Sequence, residues 1–258
     1  MSLFTIITIT YNNKEELIQT IFTTLNQSLC DFELIIIDGA STDGSVDYLS
    51  KLNDQRIQYL SEADNGIYDA MNKGLSLAKN EYVIFMNSGD YFSSENILME
   101  IANEIVTHKI KPMFIYGNAY EVDEYKAKHY KRARNVNLKI TGMFTHHQAM
   151  IYANKIINHS MIRFNTDLKI ASDYDFTLNF LNKINPNECL KLNIPICIFS
   201  LDGISSKENY LGFKEQLQIK LKYFSIISVI FVSIFQCLII LIRKHTPIIY
   251  RLYRYHKL

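Results

Sequence analysis

In "YVIFMNSGDYF" (82–92), an unbroken apolar run from Tyr82 to Met86 gives way to a turn of Asn87, Ser88, Gly89 and Asp90, so a buried strand ends by presenting one carboxylate. Three other apolar runs end in the same manner. "LFTIITIT" leads into Thr10-Tyr11-Asn12-Asn13, "FELIIID" into Asp38-Gly39-Ala40-Ser41-Thr42-Asp43-Gly44, and "IQYLSE" into Glu62-Ala63-Asp64-Asn65-Gly66. Carboxylates and amides so placed can hold a cation, accept a ligand N–H or take up a proton. Each cluster also has a purely structural reading, because Asp and Asn favour turns and Asp43 or Asp64 can cap the helix that follows. Four such clusters on one edge of one sheet favour ligand binding.

The elements that must position these residues alternate along the first half. Short β-branched runs at 3–10, 32–38, 57–62 and 82–86 are separated by amphipathic, helix-length segments at 14–27, 44–52 and 67–79. This rhythm predicts βα units around a mostly parallel central sheet with helices on both faces, an α/β fold whose ligands bind at the carboxyl ends of the strands. At 258 residues the chain has room for one large domain with an appendage. We expect a catalytic domain over 1–210 and a C-terminal helical segment over 211–258.

A formal net charge of +1 argues against a broad nucleic-acid-binding surface. Cys30, Cys189, Cys197 and Cys237 are scattered without a CxxC pair or histidines at ligand spacing, which argues against structural zinc and a disulfide framework and suggests reduced core thiols. The N-terminus has no basic leader, so the enzyme body is expected in the cytoplasm.

"TIITITYNN", "LIIIDGASTDGS", "SEADNGIYDAMNKGL" and "VIFMNSGDYF", in this order and spacing, resemble the nucleotide-binding half of family 2 glycosyltransferases with the GT-A fold, most of all the bacterial branch that builds colanic-acid-type and capsular polysaccharides. The resemblance covers roughly 3–205. It implies that the turn after the fourth strand is the family's DXD region, where a carboxylate holds Mg²⁺ or Mn²⁺ against the diphosphate of a nucleotide sugar. Asn87 stands where the first Asp usually does, Gly89 replaces a middle acidic residue, and Asp90 matches the last. One carboxylate can suffice when substrate phosphates and water complete the shell, so a weak or substrate-dependent metal site is the expectation. The glycine lets the chain turn sharply and a phosphate approach.

By the same matching Asp38 meets the nucleobase, with Thr10 and Tyr11 along base and ribose. A carboxylate accepting the imide N–H of uracil suits a UDP donor, although guanine also offers donors. Asp64 and Asn72 match donor-facing positions, Ser88 and Gly89 lie beside the diphosphate, and Lys73 is read as a solvated helix lysine in preference to a phosphate contact. "TGMFTHHQAMIY" (141–152) and "FNTDLKIASDYDFTLNFL" (164–181) resemble the acceptor-side motifs. They imply Asp173 as the base that deprotonates the attacking hydroxyl, with Asp175 its competitor and either a candidate N-terminal helix charge. Ser172 replaces the family's usual Glu. His146 and His147, followed by Gln148, are candidates for acceptor binding, for a contact to the diphosphate or metal, or for core packing, with His147 preferred over His146 as a site residue. Asp202 lies in a segment resembling the loop that closes the family's site.

Residues 224–242 contain no charge and are about as long as a bilayer-spanning helix. Basic residues flank both ends, so both ends read as cytoplasmic. At helical periodicity Lys214, Gln218, Lys222, Ser225, Ser228, Ser233, Gln236, Arg243 and Lys244 gather on one side, which predicts a helix lying in the membrane interface. "IIYRLYRYHKL" (248–258), after Pro247, alternates aromatics with bases as suits anionic headgroups. The alternative is a helix packed on the domain or on a second copy in a homo-oligomer.

The resulting expectation is an inverting hexosyl- or N-acetylhexosaminyltransferase that uses a nucleotide sugar and a polyprenyl-diphosphate-linked sugar acceptor. It would sit on the cytoplasmic face of a bacterial inner membrane. A non-catalytic nucleotide-sugar-binding or scaffold relative is the alternative, and a nucleotidyltransferase is disfavoured because "TYNN" is no Gly-rich, basic first loop.

Overall fold

The computed structural model describes residues 2–123, 125–200 and 209–245. Its first half follows the expected alternation: β1 (Phe4–Thr10), α1 (Lys14–Leu25), β2 (Phe32–Asp38), α2 (Ser45–Leu49), β3 (Ile57–Ser61), α3 (Ile67–Leu77) and β4 (Tyr82–Phe85). These strands lie parallel in the order β3-β2-β1-β4. Every residue of β1 and β4 is buried, as befits strands covered on both faces. The chain winds outward from β1 through β2 to β3, then returns to the other side of β1 as β4. The carboxyl ends of β1 and β4 therefore face the switch point where open α/β sheets bind ligands.

The second half contributes β5 (Tyr91–Phe92), α4 (Ile97–Thr107), β6 (Phe114–Val122), β7 (Lys128–Lys131), β8 (Met150–Ala153), α5 (Asn154–His159), α6 (Ser172–Leu181) and β9 (Cys189–Ser200). Here the mostly parallel expectation needs qualification. The strand β8 pairs antiparallel with β4 and β6, β7 antiparallel with β6, and β5 antiparallel with β9, so the whole sheet is mixed. These strands are joined by connections other than βα crossovers, which frees them from the parallel requirement.

Two further helices, α7 (Asn209–Tyr223) and α8 (Ile226–His245), close the described chain. The sequence predicts one continuous amphipathic helix, but Phe224 and Ser225 break it, and α7 and α8 pack against each other. Nor is this segment a detached appendage. Ile219 and Val229 are buried, α7 contacts α6, and α8 contacts a 3-10 turn over Val136–Thr141. Two members of the polar stripe point into the protein: Lys222 reaches Asp175, and the Gln236 amide donates to the Thr141 carbonyl while accepting from Lys220. The apolar face, with Ile227, Ile230, Phe231, Ile234 and Phe235, is left exposed. No described helix is long and apolar enough to cross a membrane. The basic-aromatic run after Pro247 falls outside the described residues, as does Asp202.

Cys197 is buried and Cys189 half-buried, but Cys30 is exposed, so not every thiol belongs to the core. Cys237 has no described side chain.

Candidate active site

Because β1 and β2 pair in parallel register, Thr10 and Asp38 are direct neighbours at the carboxyl edge. Asp38 is fully buried. One of its oxygens, Oδ2, accepts from the Ser41 N–H (2.9 Å) and the Ser61 hydroxyl (2.7 Å), while Oδ1 has no partner among the described residues. Thr10 Oγ1 is likewise buried and unpartnered. Buried polar atoms are rarely left unpaired, so two adjacent ones at a strand edge mark a place where a ligand completes the hydrogen bonding. Tyr11, 65% exposed, stands beside them with an open aromatic face.

The loops after β1 and β2 interlock. The Asn12 N–H donates to Ser41 Oγ, the Thr42 N–H to Asn12 Oδ1, and Asp43 accepts from the Lys14 N–H at the start of α1 and from Ser45 at the start of α2. Asp43 thus ties the starts of α1 and α2 together, while the N-cap of α2 itself is Gly44. Asp64 accepts from the Gly66 N–H and also faces Gly39, where an added Cβ would come within 2.7 Å of Asp64 Oδ2 and 3.2 Å of the Tyr11 ring. A side chain at this position would have to displace the Asp64 carboxylate.

The turn after β4 hangs on β1 and α1. Ser88 N–H donates to the Ile9 carbonyl, and Gly89, at φ +95°, donates to Thr20 Oγ1, which in turn donates to the Asp90 carbonyl. Thr20 is a supporting residue that sequence reasoning missed, since a threonine inside an amphipathic helix carries no distinguishing signal. Asp90 is 6% exposed and accepts from Gln148 Nε2 at 2.6 Å. Burial raises its pKa to about 8, against the hydrogen bond from Gln148. Asn87 Oδ1, in the same turn, is buried without a partner among the described residues. Asp90 and Asn87 thus offer two hard oxygens, a donor set that fits Mg²⁺ or Mn²⁺ when substrate oxygens complete the shell. No group of three or more His, Cys, Asp or Glu able to cage a metal gathers among the described residues.

Three expected contacts sit elsewhere. Gln148 lies against the carboxylate of the strand-end turn. His147 packs in the core: it is 6% exposed, stacks on Phe85 with centroids 4.9 Å apart, and is held neutral by burial with its pKa at about 3, while its Nε2 is buried without a partner among the described residues. The donor-facing expectation for Asn72 is not met, because its amide donates to the Phe164 carbonyl and accepts from the Phe164 N–H, latching α3 to the loop before α6. Lys73 bonds the Ala63 carbonyl and Glu62, a loop-bracing role.

Asp173 and Asp175 both occupy the first turn of α6 and have different surroundings. Asp175 is held by Lys222 of α7 through both oxygens, at 2.9 and 3.1 Å. Asp173 is half-buried, its carboxylate accepts from the neighbouring Tyr174 N–H, and burial raises its pKa to about 6. The Tyr68 hydroxyl of α3 lies against the Ser172 and Asp173 backbone N–H groups, joining the "DNGIYDAMNKG" segment to the start of α6. His146, the weaker of the two histidine candidates, bonds Glu121 and Lys131 and stacks on Phe199.

Comparison with known proteins shows the family and the fold. The family model described as "Glycosyl transferase family 2" matches residues 5–161, more than half of the chain. An Escherichia coli protein, UDP-Glc:alpha-D-GlcNAc-diphosphoundecaprenol beta-1,3-glucosyltransferase WfaP, is 28% identical over 196 residues, covering 71% of this chain and 72% of its own. WcaA of Escherichia coli K12, named for colanic acid biosynthesis, is 25% identical over 186 residues, covering 67% of this chain and 63% of its own. Staphylococcus aureus TarS (1–349), crystallised with UDP-GlcNAc, superposes with a TM-score of 0.68 at 20% identity over 84% of this chain, which spans 64% of the TarS chain.

Proposed function

We propose, from the premise that this chain belongs to glycosyl transferase family 2, that it moves a sugar from a UDP-sugar to a hydroxyl of a lipid-linked sugar acceptor with inversion at the anomeric carbon. The observation that carries the reading is the pair of unpartnered oxygens on Thr10 and Asp38 beside the exposed ring of Tyr11. Asp38 Oδ1 accepts the imide N–H of uracil, Thr10 bonds the base or ribose, and Tyr11 supplies a stacking face. Asp64, packed against Gly39, borders the ribose side, and Ser88 and Gly89 line the diphosphate.

Asp173 takes the proton of the acceptor hydroxyl. The oxygen attacks the anomeric carbon as the bond to the diphosphate breaks, and the nucleoside diphosphate leaves with the electron pair. Asp175, with both oxygens engaged by Lys222, is less available to take that proton. Asp90 and Asn87 would hold a divalent cation, which when bound offsets the charge developing on the leaving diphosphate.

WfaP carries in its name a UDP-sugar donor and a diphosphoundecaprenol-linked acceptor, and that chemistry suits the outward apolar face of α8. The protein is a peripheral enzyme of the cytoplasmic membrane face in bacterial surface-polysaccharide assembly, resting this face on the bilayer that holds its acceptor.

The test is thermal stability with UDP, GDP or dTDP, each with and without Mn²⁺, in wild type and Asp90→Ala. UDP is expected to stabilise selectively, more so with Mn²⁺, and the metal increment to vanish in Asp90→Ala. A folded sample that answers to no nucleotide would sink the donor site and leave a scaffold role as the better reading.

A further inference from the structure

The helix that presents Asp173 has no side-chain cap of its own, its N-cap being Ala171. The backbone entering it is instead held from the far end of the chain. The N–H groups of Lys169, Ile170 and Ala171 donate to the carboxylate of Glu215 in α7, at 2.8, 2.9 and 2.9 Å. Glu215 is only 4% exposed, so its charge is compensated by these three donors. It also lies at the positive end of α6. One turn earlier in α7, Gly212 brings the two backbones together: a Cβ there would come within 3.2 Å of Ile170 Cγ2. Two turns later, Lys222 holds Asp175. The helix α7 thus grips α6 on both sides of Asp173.

We infer that Glu215 is a positioning residue for transfer: by fixing the backbone of 169–171 it sets where the Asp173 carboxylate stands against the acceptor hydroxyl. This inference rests on the reading of Asp173 as the base. Glu215 brings a carboxylate from α7 to the junction where α6 begins. The charged and titratable groups bearing on Asp173 are Glu215 from α7, Tyr68 from α3 and Tyr152 from β8, with Lys222 one turn along on Asp175. After burial, the nearby negative charge of Glu215 is a further influence that raises the Asp173 pKa. Removing that charge lowers it.

The experiment compares Glu215→Gln, Glu215→Asp and Asp173→Asn with wild type. The probes are UDP-glucose and UDP-GlcNAc, each with a synthetic lipid-linked GlcNAc-diphosphate. A parallel carboxyl-¹³C NMR titration of Asp173, assigned by its loss in Asp173→Asn, needs no turnover. In Glu215→Gln the expected results are a kcat loss of about 10- to 100-fold at unchanged donor KM, an acid limb moved to lower pH, and an Asp173 resonance titrating lower. Glu215→Asp should keep the acid limb and recover part of kcat. A merely structural Glu215 would lower thermal stability and leave both the limb and the NMR titration unmoved, which overturns the inference. If Asp173→Asn retains turnover, the base assignment fails and the inference with it. If Asp173→Asn is silent while Glu215→Gln matches wild type in kcat and titration, only the inference fails. Should Glu215→Gln not fold, Glu215→Asp decides: kcat lowered at constant donor KM supports the inference, and wild-type kcat overturns it.

Discussion

The carboxylate of Asp38 has one oxygen saturated by Ser41 and Ser61 and the other without a partner among the described residues. In Asp38→Asn the amide oxygen can keep the two internal bonds, while the NH₂ group turns a donor toward the imide N–H of the base. A lost hydrogen bond to a charged group is worth about 1.5–3 kcal/mol, so UDP affinity by calorimetry should fall about 10- to 150-fold with the fold intact. Asp173 carries the second prediction at this scale. Its pKa is raised to about 6 by burial, and a base works only when ionised. Turnover should therefore hold level above that pH and fall as pH drops through it, by about tenfold at pH 5 relative to the plateau. A pH–rate profile flat to pH 4 would remove Asp173 from the chemistry.

At the scale of elements, the donor edge depends on how closely α3 lies on β1. A Cβ on Gly74 would fall 2.5 Å from Ile7 Cγ2, and a β-branched neighbour in a fully buried strand cannot turn aside. Overpacking of this kind costs about 1–3 kcal/mol, so Gly74→Ala should lower Tm by about 2–12 °C in a chain of this size. Gly39 is the contrasting case, because its crowding falls on Asp64 and Tyr11 at the site's surface. The seven-residue spacing from Glu215 to Lys222 gives α7 its two holds on α6 from one helix face. A helix that periodicity presents as a membrane stripe is, in the fold, a brace for the first turn of α6.

For the molecule as a whole, the orientation of α7 and α8 is the informative feature. Their inward faces meet α6 and the Val136–Thr141 turn, and the apolar groove between them is lined by Phe213, Leu217, Leu221, Ile226, Val229 and Ile230. With Phe231 and Ile227 also exposed, Phe231→Glu combined with Ile227→Glu should abolish flotation with vesicles containing anionic lipid while leaving UDP affinity unchanged. Retained flotation would place the membrane contact elsewhere, and a change in oligomeric state would favour a second copy of the chain as the cover.

The β-branched runs, their spacing and the Asp-Asn-Gly endings determined the parallel first half and the edge that carries Asp38, Asp64 and Asp90, because strand burial and turn chemistry are local properties of the chain. Local signals could not determine where side chains separated by tens of residues would meet. The neutral core ring of His147, the latch made by Asn72 on Phe164, the bond from Gln148 to Asp90 and the different fates of Asp173 and Asp175 were decided by packing between elements. So was the hold of Glu215 on Ala171, 44 residues away in sequence. A carboxylate's role is set by which donors surround it and how much water reaches it, and only the tertiary structure assembles those donors and excludes that water.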